Sequence, residues 1–427
     1  MINSYNRFKL KNGVSVLLAP MRNTQAITTL ALLPFGSRFE KESEAGSAHF
    51  IEHMLFKGTQ KRPTNLILSQ GLDALGAEYN AFTSQEYTGY YIKLLKESLE
   101  NSLDILADIF FNSIFDEREI EKEKGVILEE IKMYQDNPSF YIYDLFYETF
   151  FGGHSLGRNI AGSFKTVSKT NKKKLFSYRN DLYQPNNLWL ILAGSVSQND
   201  LNLVKKYFSQ GGHGSKRKIN KFVAKAHSPR VKIIKRKVEQ VQLSLGFLSL
   251  SYFASKQAKN ALSVLSSVLG GSMSSRLFQK IRVEKGLAYS IGCGGSSFNE
   301  AGVFHINAGI DPYKVNQGLE VIIDEINKIK KEGISLLELK QTKDFLTRRT
   351  KLSLEDSQTM ANWYGSQALF LKQIETPEES YQNIKKINLL DVKKMAQKIF
   401  DPNQINLAMV GPLVDSNQYL RILKKLK

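Results

Sequence analysis

The chain has one cysteine, Cys293, and six histidines among its 427 residues. A single thiol excludes an internal disulfide and a multi-cysteine metal site, and makes a reducing, cytoplasmic setting the default expectation. No apolar run approaches the roughly 20 residues that a membrane-crossing helix needs. The first residues, Met1-Ile-Asn-Ser-Tyr-Asn-Arg-Phe-Lys-Leu, alternate polar and apolar types and lack the hydrophobic core and small-residue cleavage site of a signal peptide. They predict a strand that turns at Asn12-Gly13 into a second strand beginning at Val14. The pairs Gly270-Gly271 and Gly294-Gly295 lack the lysine and the strand–loop–helix order of a phosphate loop, so tight turns account for them.

Acidic charge is scarce in the second half. Residues 1–200 carry a net −1 and the remainder +19, which together give +18. The densest basic runs are Lys216–Lys225 and Lys232–Lys237. No nucleic-acid motif accompanies them, so they read as a solvated basic linker and its flank, with no nucleic-acid partner expected.

Against that scarcity of histidine, two fall within His49-Phe-Ile-Glu52-His53. A helix over about 47–57, with Ser47 near its N-cap and Gly58 just past its end, places His49, Glu52 and His53 on one face. Phe50, Ile51, Met54 and Leu55 make the other. Two imidazoles one turn apart suit two nitrogen ligands of one zinc ion, and Glu52 is the natural proton acceptor for a water activated there. H-x-x-E-H is the inverted zinc-protease motif, and composition alone makes a chance match roughly a one-in-hundreds event. The acidic run from Glu117 to Glu130 offers a carboxylate as third ligand, with Glu129 and Glu130 both in contention.

At 42% apolar and 23% charged residues, a chain of this length can bury several cores. A buried strand over 25–35 precedes the motif helix. Helices at about 64–75, 97–113 and 117–137 follow, with paired strands after Gly76 and Tyr87. Glycine, serine and the charge run mark 209–228 as a linker, which separates an N-terminal domain, 1–208, from a C-terminal domain, 229–427. The second half repeats the order of the first, with helices at about 256–270 and 275–285, strands at about 287–296 and 301–310, and a last strand at 405–410. Gly76-Ala-Glu-Tyr79 matches Gly286-Leu-Ala-Tyr289, yet Leu262–Leu269 stands where the motif helix would recur and has no histidine.

With these residues in view, the chain resembles the pitrilysin-type inverted-motif zinc peptidases, in particular short bacterial members similar to the mitochondrial processing peptidase β subunit. The likeness rests on His49–His53 with its continuation to Thr59, Asn80-Ala-Phe-Thr-Ser84, Gly125–Ile131, His154-Ser-Leu-Gly-Arg158, and Ser274–Phe278 followed by Gly286–Tyr289. It implies an α+β fold (α/β layers) of two homologous domains, each a mainly antiparallel sheet flanked by helices, forming half of a clamshell chamber. It also implies one zinc per chain on His49, His53 and Glu130, with Glu123, seven residues before Glu130 on the same helical face, orienting a histidine. Asn80 and Ala81 would lie on a sheet edge that takes a peptide as an added strand. Arg282 and Tyr289 would contact substrate across a homodimer interface, with Tyr289 donating to the oxyanion. The expected activity is zinc-dependent endopeptidase action on short or unfolded polypeptides. The alternative is a peptide-binding or partner subunit of a heteromeric processing peptidase that does not itself cut.

Overall fold

The computed structural model describes residues 5–212, 220–225, 228–413 and 415–427. Of the expected linker, residues 213–219 and 226–227, which include His213 and His227, lie outside the described residues. The rest of 209–228 forms neither helix nor strand.

Alternating and fully apolar stretches build two sheets. The first contains β1 (Asn6–Lys9), β2 (Ser15–Pro20), β3 (Ala26–Leu33), β4 (Glu78–Thr83), β5 (Thr88–Leu95) and β6 (Trp189–Gly194), in the order β1-β2-β6-β3-β5-β4. The second contains β7 (Arg230–Lys235), β8 (Val241–Ser249), β9 (Ala288–Ser297), β10 (Gly302–Ile310) and β11 (Asn406–Gly411), in the order β7-β11-β8-β10-β9. One pair in each sheet is parallel, β2 with β6 and β7 with β11, and the other pairs are antiparallel. Without β1 the two orders match strand for strand, so the repeat read in the sequence is a repeat of topology. Gly76 and Gly286 have φ of +60° and +57°, and each turns the chain into an edge strand, β4 or β9. Glycine holds that left-handed conformation without the steric cost of a Cβ.

The helices that matter for the site are α1 (Ser47–Leu55), α2 (Asn65–Asp73), α3 (Leu99–Asn112), α4 (Glu117–Asp136) and α5 (Pro138–Phe151). Strand alternation sends Ile27, Ala31 and Leu33 of β3 to the side covered by α1–α3, and Leu30 and Leu32 to the other. Both faces are apolar, so both need a helical cover. The second cover is the helix Ser357–Phe370, through Met360, Ala361 and Tyr364. In the second sheet, Leu243, Leu245 and Phe247 face the helices of their own half of the sequence, while Val303, Ala408 and Val410 face Ile142, Phe146 and Phe150 of α5. The packed units are therefore discontinuous in sequence. One draws on residues 1–132, 158–220 and 351–378, the other on 133–157, 221–350 and 379–427. Each half of the chain supplies one covering helix to the sheet of the other half. The segment expected as a plain helix over 275–285 is instead a π-helical turn, Phe278–Glu284.

Gly246 shows how closely α5 seats on its sheet. A Cβ there would lie 2.1 Å from Phe146 Cζ, and Phe146 is fully buried. Gly246→Ala must push that ring aside, and the expected cost is about 1–3 kcal/mol. A lowered urea midpoint for the transition that reports on the second unit checks it, and an unchanged midpoint would contradict the packing.

Candidate metal centre

Helix α1 starts at Gly46, whose φ is +95° and whose Cα leaves no room for a side chain, since a Cβ would meet Ala161 O at 2.6 Å. The free N–H groups of its first turn are met by a carboxylate from upstream. Gly46 N–H donates to Glu40 Oε2 at 2.8 Å and Ala48 N–H to Glu40 Oε1 at 2.7 Å. Ser47, expected near the N-cap, is the first residue after it and donates its hydroxyl to Glu44 O at 2.6 Å. Burial pushes the Glu40 carboxyl up to about 8, against the pull of the two N–H groups and of Arg158. Phe50, Ile51, Met54 and Leu55 are buried in the first core, which leaves His49, Glu52 and His53 half-buried on the other face.

The third contributor comes from α4. Its buried stripe is Ile120, Glu123, Ile127 and Ile131, and Glu130 lies half-buried beside it. His49 Nε2 and His53 Nε2 are 3.3 Å apart, and Glu130 Oε2 is 3.7 Å from the first and 3.6 Å from the second. Tetrahedral ligands at about 2.0–2.2 Å from a zinc ion stand about 3.3–3.6 Å from one another. The three ligand atoms lie within 4.8 Å of one another and nearly meet that spacing. Glu129 faces away, exposed and paired with Lys132.

Around this triangle the supporting contacts set the protonation. The Glu123 carboxylate can only accept, so His53 donates Nδ1–H to Glu123 Oε1 at 2.7 Å and turns Nε2, the atom a cation would take, toward His49 and Glu130. Lys57 Nζ holds the other Glu123 oxygen at 2.7 Å. The Thr83 hydroxyl donates to Glu52 Oε2 at 2.5 Å. Burial, helped by the neighbouring His53, lowers His49 to about 3, so its ring is neutral. Burial alone would also lower His53, but the hydrogen bond and charge of Glu123 outweigh it and raise its pKa. Burial likewise raises Glu52 and Glu130, while for Glu123 the contacts from His53 and Lys57 overcome burial and lower it. Without a cation, the proton affinity of both His53 and Glu130 is therefore above that of the free side chains. Two imidazole nitrogens and one carboxylate, with a basic carboxylate on the same helix face, are a donor set that fits zinc.

The other expected residues fall in two places. Asn80 and Ala81 lie on β4, the edge strand beside α1 in the same unit, and the Ala81 N–H donates to Asn80 Oδ1 at 2.8 Å. Arg282 and Tyr289 belong to the second unit, where both are exposed and the guanidinium sits 5.2 Å from the tyrosine ring centroid. His154 and His305 are packing residues of that unit, against Phe222 and against Tyr143 and Phe146. Sequence reasoning missed three groups at the metal centre. Thr83 lies within the Asn80–Ser84 segment and Lys57 stands one turn after His53, so both carried a signal, whereas Glu40 carried none.

Because the Glu123 contact raises the His53 pKa, a cation bound at Nε2 must displace a proton below that pKa, and apparent zinc affinity is expected to rise with pH until His53 titrates. Zinc added to the metal-free protein at pH 6 is expected to release about one proton or more, counted by calorimetry in buffers of different ionisation enthalpy. Release of none would mean that His53 binds no metal.

Comparison with known proteins follows the same lines. Residues 16–163 match the family model described as insulinase (peptidase family M16), and residues 169–346 match that of the peptidase M16 inactive domain. A Bacillus subtilis protein named as an uncharacterized zinc protease, YmxG, is 36% identical over 95% of this chain and 98% of its own length. Another from Streptomyces coelicolor, also named as an uncharacterized zinc protease, is 32% identical over 97% of this chain and 91% of its own. The crystal structure of a protease from Helicobacter pylori has the same fold, with a TM-score of 0.91 at 24% identity over 96% of this chain and all of that one.

Proposed function

Since this chain belongs to the M16 peptidase family, we propose that it is a zinc-dependent endopeptidase that hydrolyses short or unfolded polypeptides. The observation that carries the proposal is the convergence of His49 Nε2, His53 Nε2 and Glu130 Oε2 within 4.8 Å, with Glu52 on the same face of α1. The names of the relatives support the choice of zinc.

His49, His53 and Glu130 would hold one zinc per chain. When bound, zinc supplies Lewis acidity, which makes a water easier to deprotonate and offsets charge growing on a carbonyl oxygen. Glu52 takes the proton of the attacking water and returns it to the leaving amine. Its raised pKa suits the first half of that task, because a more basic carboxylate accepts the proton more readily. Glu123 holds the His53 ring in one tautomer, and Lys57 holds Glu123. The open edge of β4 at Asn80 and Ala81 takes the peptide as an added strand, so main-chain hydrogen bonds do most of the recognition.

We assign Arg282 and Tyr289 to substrate contact across a homodimer interface, Tyr289 giving its hydroxyl to the carbonyl oxygen as charge develops. Their exposure, 72% for Tyr289, leaves them available to a partner. The proposal includes a cytoplasmic setting, on the single cysteine alone. No described helix is long and apolar enough to cross a membrane.

Cleavage of a quenched fluorescent peptide by the zinc-loaded protein, beside Glu52→Gln, tests the reaction. The substitution is expected to lower kcat by roughly 10²–10⁴ while zinc stays bound. Zinc bound without cleavage across a varied peptide library would favour the peptide-binding subunit instead. Mixing tests the interface: Glu52→Gln and Tyr289→Phe chains, each impaired alone, are expected to recover activity together, because a mixed dimer holds one intact site. No recovery after subunit exchange would remove the cross-interface assignment.

A further inference from the structure

We propose that Thr83 is a positioning residue, whose hydroxyl fixes the Glu52 carboxylate in one orientation by donating to Oε2 and leaving Oε1 free for the proton of water. This rests on the peptidase reading of the site. The contact is short, 2.5 Å from Thr83 Oγ1 to Glu52 Oε2.

What makes the contact more than a passing hydrogen bond is the stiffness of both sides. Thr83 closes β4, and strand alternation places it with Tyr79 and Ala81 on the face toward the first core, while Phe82 packs on the opposite face of the sheet. Just beyond it the hairpin tip is pinned. Ser84 N–H donates to Tyr87 O at 2.8 Å, Ser37 N–H to Ser84 O at 3.1 Å, and Arg38 N–H to Gln85 O at 2.8 Å. Arg38 and Glu86 add a buried ion pair across the same two loops. Gly36 lets the backbones touch, since a Cβ there would lie 2.1 Å from Ser84 O. Glu52 stands on α1, which is anchored beneath by Ile51 and Leu55, both fully buried. A rigid hairpin thus holds a donor against a rigid helix, and the flexible part between them is the glutamate side chain alone.

A glutamate has several rotamers on a half-buried face, and a base is effective only in the orientation that reaches its proton. The hydroxyl removes that freedom. The same strand carries Asn80 and Ala81, so the element that takes the peptide edge also sets the base, three residues apart. Threonine also suits a strand by its branched shape alone. Valine has that shape without the hydroxyl, and serine has the hydroxyl without the shape, so the two substitutions separate the roles.

The experiment uses the full chain, zinc-loaded for kinetics and metal-free for crystals. Thr83→Val is expected to lower kcat roughly ten- to a hundredfold, with KM and zinc affinity, measured by chelator competition, each within about twofold of the starting protein. Thr83→Ser is expected to recover most of kcat. In metal-free crystals Glu52 should occupy one orientation in the parent and in Thr83→Ser, and more than one in Thr83→Val. An unchanged kcat in Thr83→Val, an equal loss in Thr83→Ser, or a single unmoved Glu52 in the Thr83→Val crystals would overturn the proposal. If the parent itself cuts no peptide, the peptidase reading falls, and the crystal comparison alone decides what Thr83 does.

Discussion

One buried carboxylate sets the register on which the metal centre depends. Glu123 is 3% exposed, yet it is charged, and it is the lone polar member of the stripe by which α4 packs into the first core. A charge in that position is costly unless it is paired and hydrogen-bonded. Both of its partners, His53 and Lys57, lie on or just past α1, one turn apart. Sliding α4 by one residue would leave the carboxylate buried without them, an outcome that is strongly destabilising. The apolar neighbours Ile120, Ile127 and Ile131 enforce the same register by their spacing. Glu130 reaches the histidines because this register brings it there.

The contrast between the two topologically equivalent units follows from their edge strands. In the first, β4 offers side chains toward α1, among them Tyr79 and Thr83, so there are groups with which a reactive face can be arranged. In the second, β9 meets the corresponding helix, Lys256–Gly270, at Cys293 and Gly292. A Cβ on Gly270 would lie 2.4 Å from Cys293 Sγ, and Gly292 approaches Gly270 O at 3.5 Å even for a notional Cβ. A thiol packed on a glycine stands there in place of a polar face. Tyr289, the counterpart of Tyr79, is exposed at the start of that strand.

Much of this is legible in the order of the amino acids alone. The five-residue spacing of the motif places three polar groups on one helix face, and the seven-residue spacing of Glu123 and Glu130 places both on one side of another. The first reading needs only local geometry, while the choice of the Glu123 and Glu130 pair among the many acids of that run rests on the family resemblance. The shared order of elements along the two halves is visible in the repeat and in the paired Gly-x-x-Tyr segments. What is not legible depends on contacts between distant residues. The apolar faces of β3 and β6 demand a second helical layer, but nothing local says that Ser357–Phe370 provides it, or that α5 covers the other sheet. Glu40 is an ordinary acid six residues before Gly46 until folding brings it over the open end of α1. The π-helical turn at Phe278–Glu284 differs from a plain helix only in its hydrogen-bond pattern, which residue types do not report.

Two carboxylates on one face of α4 carry different tasks, and the charges around them say why. Glu123 already has a cation, Lys57, on one oxygen and a ring N–H on the other, so neither oxygen is left for a metal. Its pKa is lowered accordingly, and it behaves as a fixed anion. Among the described residues Glu130 meets only the two imidazoles, at distances too long for hydrogen bonds, and burial raises its pKa. That carboxylate has no hydrogen-bond donor of its own among the described residues. A cation would supply that partner, at the carboxylate that faces both Nε2 atoms. Lys57, by satisfying Glu123 in advance, leaves Glu130 as the one of the two acids with an oxygen free for a cation.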